Sequence, residues 1–164
     1  MQTQKHIISA LVANRPGVLA RVSGLFSARG FNIDSLAVGE TEKPDLSRMT
    51  IVVAGDEAIL EQVRKQLDKL IDVVKVRDFR GMPHVERDLA LVRIHSPVSR
   101  RSEILELVDI FRARIVDVGH NEVMVELAGT EEKIEAFLDL VRPYGIREMV
   151  RTGRIAMARS AARR

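Results

Sequence analysis

A candidate binding site for a small ligand lies between Asn14 and Ile33. The turn Asn14-Arg15-Pro16-Gly17 separates an apolar strand, His6-Ile7-Ile8-Ser9-Ala10-Leu11-Val12, from a segment with Val18, Val22, Leu25 and Phe26 at helical spacing. Pro16 suits the turn and a first helical position, because its ring presets φ and it carries no amide hydrogen. Gly17 leaves the helix start bare of side chain, so a small anion can approach the free backbone N–H groups closely. Asn32, opening a second strand at Phe31-Asn32-Ile33, supplies an amide donor and an amide acceptor. A free amino acid needs donors for its carboxylate and acceptors for its ammonium, and this pair of features offers both. Val18, Leu19, Ile33 and Leu36 could line a small apolar pocket for its side chain, or serve as ordinary core. A Pro-Gly dipeptide alone marks a turn more often than a site.

Catalysis finds no constellation. His6, His84, His95 and His120 are scattered along the chain, and neither HExxH nor GxSxG occurs. GxxxxGK[ST] and GxGxxG phosphate loops are also missing. With no cysteine, disulfides, thiolate metal sites and cysteine nucleophiles are excluded. No metal is expected.

Composition bounds the rest. At 164 residues, 46% hydrophobic and 30% charged, the chain reads as globular, with room for one ordinary domain or two small ones. Its apolar runs are too short to span a membrane, and Met1 to Lys5 lead into no uninterrupted apolar segment, so a cytoplasmic location is expected. The 26 basic and 23 acidic side chains interleave along helix faces, as solvated surface does. A basic tail, Arg151, Arg154, Arg159, Arg163 and Arg164, has only Glu148 as a close acidic neighbour and is read as a solubilising end. Aromatic residues are 4% of the chain, with no Trp and one Tyr, too few for the stacking platform of an RNA-recognition sheet. No nucleic acid is expected.

The pattern of strands and helices that holds Gly17 and Asn32 recurs in the second half of the chain. In the first half, strands are expected near Lys5 to Val12, Phe31 to Val38, Arg48 to Ala54 and Val73 to Phe79, with helices from about Pro16 to Arg29 and Asp56 to Leu70. In the second, Ile104, Leu107, Val108 and Phe111 mark one helix, and Ile134, Phe137, Leu138 and Val141, after the cap Thr130, mark another. Strands near 88–94, 114–118 and 122–127 surround them, with a hairpin turn at Gly119-His120-Asn121 and a final strand or strand pair between Gly145 and Ala158. Each half is β-α-β-β-α-β, so the fold class is α+β with two ferredoxin-like domains. The expected division is 1–80, a turn-rich linker over 81–87, and 88–164 including the basic tail. Halves this small bury little surface alone, so a dimer or larger is expected.

Asn14-Arg15-Pro16-Gly17-Val18-Leu19, followed by Gly30-Phe31-Asn32-Ile33-Asp34-Ser35-Leu36, resembles the ACT domain, a ferredoxin-like sensor of small ligands, commonly amino acids. Leu46 to Ile51, Leu60 to Leu70, His84 to Leu91 and Ile115-Val116-Asp117 extend the likeness almost end to end. Over that length the chain resembles the small regulatory subunits of acetolactate (acetohydroxyacid) synthase. The resemblance implies a noncatalytic subunit that activates a separate large subunit and confers feedback inhibition by a branched-chain amino acid, usually valine. It puts thiamine diphosphate, Mg²⁺ and FAD on the large subunit and no cofactor on this chain. It also implies a homodimer through the ACT domains, with effector held by Asn14, Gly17, Val18 and Leu19 of one protomer and Asn32 and Ile33 of its mate. Many ACT domains carry Asp where this chain has Asn14, so an amide replaces a carboxylate there. The matching place in the second half reads Ser96-Pro97-Val98-Ser99, and the same ligand is not expected at it. The alternative is a free-standing ACT-type sensor acting on another enzyme or a transcription factor.

Overall fold

Two four-strand, two-helix patterns dominate the computed structural model, which describes residues 4–163. The first comprises β1 (Lys5–Ala13), α1 (Val18–Ala28), β2 (Ile33–Glu40), β3 (Leu46–Ala54), α2 (Glu57–Asp68) and β4 (Val73–Asp78). The second comprises β5 (His84–His95), α3 (Arg101–Ile110), β6 (Arg114–Val118), β7 (Glu122–Gly129), α4 (Glu131–Val141) and β8 (Ile146–Arg151), followed by β9 (Ile155–Ala158). Strand order is β2-β3-β1-β4 in one sheet and β6-β7-β5-β8 in the other, all antiparallel. The two orders are the same ferredoxin-like permutation, as the repeated β-α-β-β-α-β pattern requires.

Alternation along the strands builds each core. Ile8, Ala10 and Val12 of β1 face Met49, Ile51 and Val53 of β3 across one side of the first sheet, against Val18, Val22 and Phe26 of α1 and Leu60, Val63 and Leu67 of α2. The second unit repeats this with Ala90, Val92 and Ile94, Val123, Val125 and Leu127, and the helix residues Ile104, Val108, Ile134 and Phe137. Each of these Val, Leu, Ile, Phe and Met side chains stabilises its unit by about 1.5–3 kcal/mol through burial. Asp56 and Thr130 start α2 and α4 by accepting from the amides of Ile59 and Lys133.

The chain ends differ from the expected division. One compact unit holds the chain up to Val85 together with the segment from Arg154 on; the other is Glu86–Gly153. The turn-rich stretch expected as a linker runs into β5 at His84, and β9 pairs with β5 near that start, the Arg159 amide donating to Pro83 O at 2.9 Å. Ala156 of β9 is buried with Ile7, Val52 and Phe79, on the face of the first sheet opposite the helices. That apolar patch on the sheet explains the return, because Ala156 and Ala158 add to the cover that Phe79 and Met82 give it. The start of the basic tail is likewise structural. Arg151 donates to the buried carboxylate of Asp88 at 2.7 Å and pairs with Glu135, and Arg154 is buried. Arg164 and the Arg163 side chain lie outside the described residues, as do Met1 to Thr3.

Candidate effector site

Gly17 stands at the N-cap of α1 with φ 85° and ψ −10°, the left-handed region that a side chain disfavours. This is why the helix begins at Val18 rather than at Pro16. No side chain caps α1, and its first turn holds no acidic residue. The Val18 amide reaches Arg15 O at 3.5 Å, while the Leu19 and Ala20 amides have no backbone acceptor among the described residues. Two N–H groups at the positive end of a helix dipole are thereby left to solvent or ligand.

The loop before Gly17 is pinned along its length. The Ala13 amide donates to Asp72 O at 2.8 Å, and the Asn14 amide to Asp45 O at 2.8 Å. Asn14 Nδ2 donates to Pro44 O at 2.9 Å, which fixes the amide plane and leaves Oδ1 as the acceptor. Arg15 donates to Asp72 Oδ1 at 2.7 Å, and Arg21 pairs with Oδ2 of the same carboxylate. Asn14, Gly17 and Leu19 are exposed at this end of the sheet, with Leu19 46% accessible, whereas Val18 is buried in the first core.

Asn32 and Ile33 lie elsewhere in the same chain. They follow the far end of α1, whose eleven residues span roughly 16 Å at about 1.5 Å each. Asn32 is exposed, and Ile33 and Leu36 pack at the rim of the core. A single chain thus gathers Asn14, Gly17, Val18 and Leu19, and holds Asn32 and Ile33 apart from them. The Asp72 clamp is a feature that sequence reasoning missed. The stretch from Asn14 to Ile33 contains Arg15, Arg21 and Arg29 and no acidic residue, which the sequence shows without naming a partner for any of them.

Comparison with known proteins decides the family. Residues 8–75 match the model of the AHAS small subunit-like ACT domain, and residues 87–160 match that of the small subunit of acetolactate synthase. The chain belongs to the acetolactate synthase small-subunit family. Within that family, it is 58% identical to the probable acetolactate synthase small subunit of Archaeoglobus fulgidus, over 94% of this chain and 97% of the relative. Identity with the small subunit of Mycolicibacterium smegmatis is 50%, over 96% and 92%. The crystal structure of the acetolactate synthase small subunit from Thermotoga maritima superposes with a TM-score of 0.87 at 43% identity, covering 95% of this chain and 98% of that one.

In this small-subunit member the matching place in the second domain is built differently. The Ser96 amide donates to Asn121 O at 2.7 Å, as the Asn14 amide does to Asp45. Beyond it, the Arg101 guanidinium donates to Ser96 O at 3.0 Å, Gly119 O at 2.9 Å and His120 O at 2.8 Å. Arg101 ties the β5–α3 turn to the β6–β7 hairpin through their carbonyls, and as a donor it does not cap the amides at the start of α3. Arg101→Ala should destabilise the second domain by about 2 kcal/mol, since three carbonyls lose a charged donor. Denaturant titration should register that loss, with effector response at the first domain unchanged. Among the described residues no group of three or more His, Asp or Glu could hold a metal ion, and no helix is long and apolar enough to cross a membrane. His6, buried, is held by Gly55 O at 3.0 Å, a structural role.

Proposed function

We propose that this chain activates an acetolactate synthase large subunit and confers feedback inhibition by valine or another branched-chain amino acid. The observation that carries the reading is the open N-terminus of α1 in a chain of this family. The Leu19 and Ala20 amides suit a carboxylate, Asn14 Oδ1 suits an ammonium, and exposed Leu19 offers an apolar contact for an aliphatic side chain.

Strand register supports a site completed by a second copy. β2 is an edge strand. Ala13 pairs with Leu46, and Glu40 with Ser47, so β2 ends at the same end of the sheet as the Asn14–Gly17 loop and begins at the opposite one. Pairing two β2 strands antiparallel about a two-fold axis carries Asn32 of the partner subunit to the loop's end of the sheet, from which its amide oxygen is placed to offer an acceptor for the ammonium. Two equivalent sites arise per dimer. Effector there shifts the complex only by its difference in affinity for two packings of the pair. Thiamine diphosphate, Mg²⁺ and FAD belong to the large subunit in this reading, and this chain takes no part in bond making.

Titration calorimetry with L-valine, run beside reconstitution with the large subunit, tests the proposal. Saturable binding, activation on mixing and inhibition by L-valine are the expected results; a mixture that is neither activated nor inhibited rules the reading out. Asn32→Ala should raise the half-inhibiting valine concentration about tenfold, the value of one hydrogen bond to a charged group. An unchanged inhibition curve would remove Asn32 from the site.

A further inference from the structure

Asp72 is the most heavily used carboxylate around the α1 loop, and it belongs to neither β1 nor α1. It sits in the connection between α2 and β4, with its side chain 7% exposed. An ionised carboxylate so far from water is tolerated only when cations and donors satisfy it. Two arginines do so, each on its own oxygen: Arg15 on Oδ1 and Arg21 on Oδ2. Both stems remain more than half exposed, so the cations come inward to the carboxylate rather than being buried by the core. The main chain adds a third tie through Ala13 N and Asp72 O.

The placement of these ties matters more than their number. Ala13 and Arg15 precede Gly17, and Arg21 follows it by about one helical turn. One residue therefore grips the effector loop on both sides of its open amides. Arg21 Nη1 lies 3.7 Å from the position a β-carbon on Gly17 would take, so its guanidinium borders the helix start itself. Two cations against one anion leave a net positive charge beside a helix N-terminus that holds no acidic residue in its first turn. That field favours the carboxylate of an incoming ligand.

We infer that Asp72 is a positioning residue of the effector site: through Arg15 it sets the Asn14–Gly17 loop, and through Arg21 it holds a positive charge against the Leu19 and Ala20 amides for the ligand carboxylate. The inference rests on the effector reading given above. It makes the α2–β4 connection part of the sensor, although nothing in that connection touches the ligand.

The full-length chain, wild type and variants, is titrated with L-valine at low and high ionic strength, with thermal unfolding recorded alongside. Asp72→Asn keeps the shape and removes the charge; it should weaken binding about tenfold while the chain still unfolds cooperatively. Asp72→Glu restores the charge and should recover most of the affinity, a rescue that a purely structural role does not predict. Arg21→Gln leaves Asp72 paired with Arg15, so the fold is retained; it should weaken binding by roughly threefold or more and flatten its salt dependence. If Asp72→Asn fails to fold, Arg21→Gln decides alone. Wild-type affinity and wild-type salt dependence in Arg21→Gln, or wild-type affinity in a folded Asp72→Asn, overturns the inference and leaves the effector reading standing. Absence of binding by the wild-type chain, with no valine inhibition of the reconstituted enzyme, overturns both.

Discussion

Gly17→Asp should raise the half-inhibiting valine concentration by about 100-fold or more in the reconstituted enzyme, with activation of the large subunit preserved. Two effects act together. At φ 85° any L side chain is strained, by about 1–2 kcal/mol, which shifts the loop away from its present geometry. The new β-carbon itself has room, its nearest neighbour being Arg21 Nη1 at 3.7 Å, so the fold is not blocked. The carboxylate then lies beside that guanidinium and the open amides, as a covalently tethered competitor for the ligand's own carboxylate. Gly17→Ala carries the strain without the charge and should fall between wild type and Gly17→Asp. Inhibition curves on the three proteins, at matched large-subunit concentration, make the comparison. A fully valine-sensitive Gly17→Asp would move the site away from this loop.

Phe26→Ala should cost the first unit about 3–5 kcal/mol, the usual penalty for emptying a buried aromatic site. Phe26 is fully buried and meets Phe31 edge to face at 6.4 Å between ring centroids. Its carbonyl also accepts from the amides of Arg29 and Phe31, which closes the turn leading to Asn32. The second unit has its own core around Phe137 and its own aromatic pair, Phe111 with Phe137. Scanning calorimetry should therefore show the first unit's transition lowered by about 15 °C or more and separated from an unmoved second transition. A single transition falling as a whole would show that the units unfold as one. Because α1 carries the loop at one end and Asn32 beyond the other, valine sensitivity should weaken before activation is lost.

Much of this architecture was legible because it is written locally. Leu107 and Phe111, like Phe137 and Val141, declare helices by spacing alone, and their faces are the ones the cores use. Pro16-Gly17 marked the start of α1 to within two residues, the discrepancy arising because Gly17 adopts a left-handed conformation that no periodicity encodes. Asp72 was not legible. Its partners lie 57 and 51 residues away, and only the order of strands β1 and β4 brings them together. The tail was misjudged for a similar reason: Arg151 finds Asp88 across 63 residues of chain, whereas a sequence shows only neighbours. The separation of Gly17 from Asn32 by the length of α1 is equally a property of topology, although each residue was visible on its own.

The return of β9 to the first unit governs the order in which this molecule can be completed. Ile7, Val52 and Phe79 are synthesised early, but Ala156, which shares their cluster, follows the whole of the second unit. During synthesis the cluster on the back of the first sheet stays incomplete until the segment that follows the second unit has been made. No single cut divides the chain into its two units, and a fragment ending near residue 80 would lack the contribution of Ala156 to that cluster.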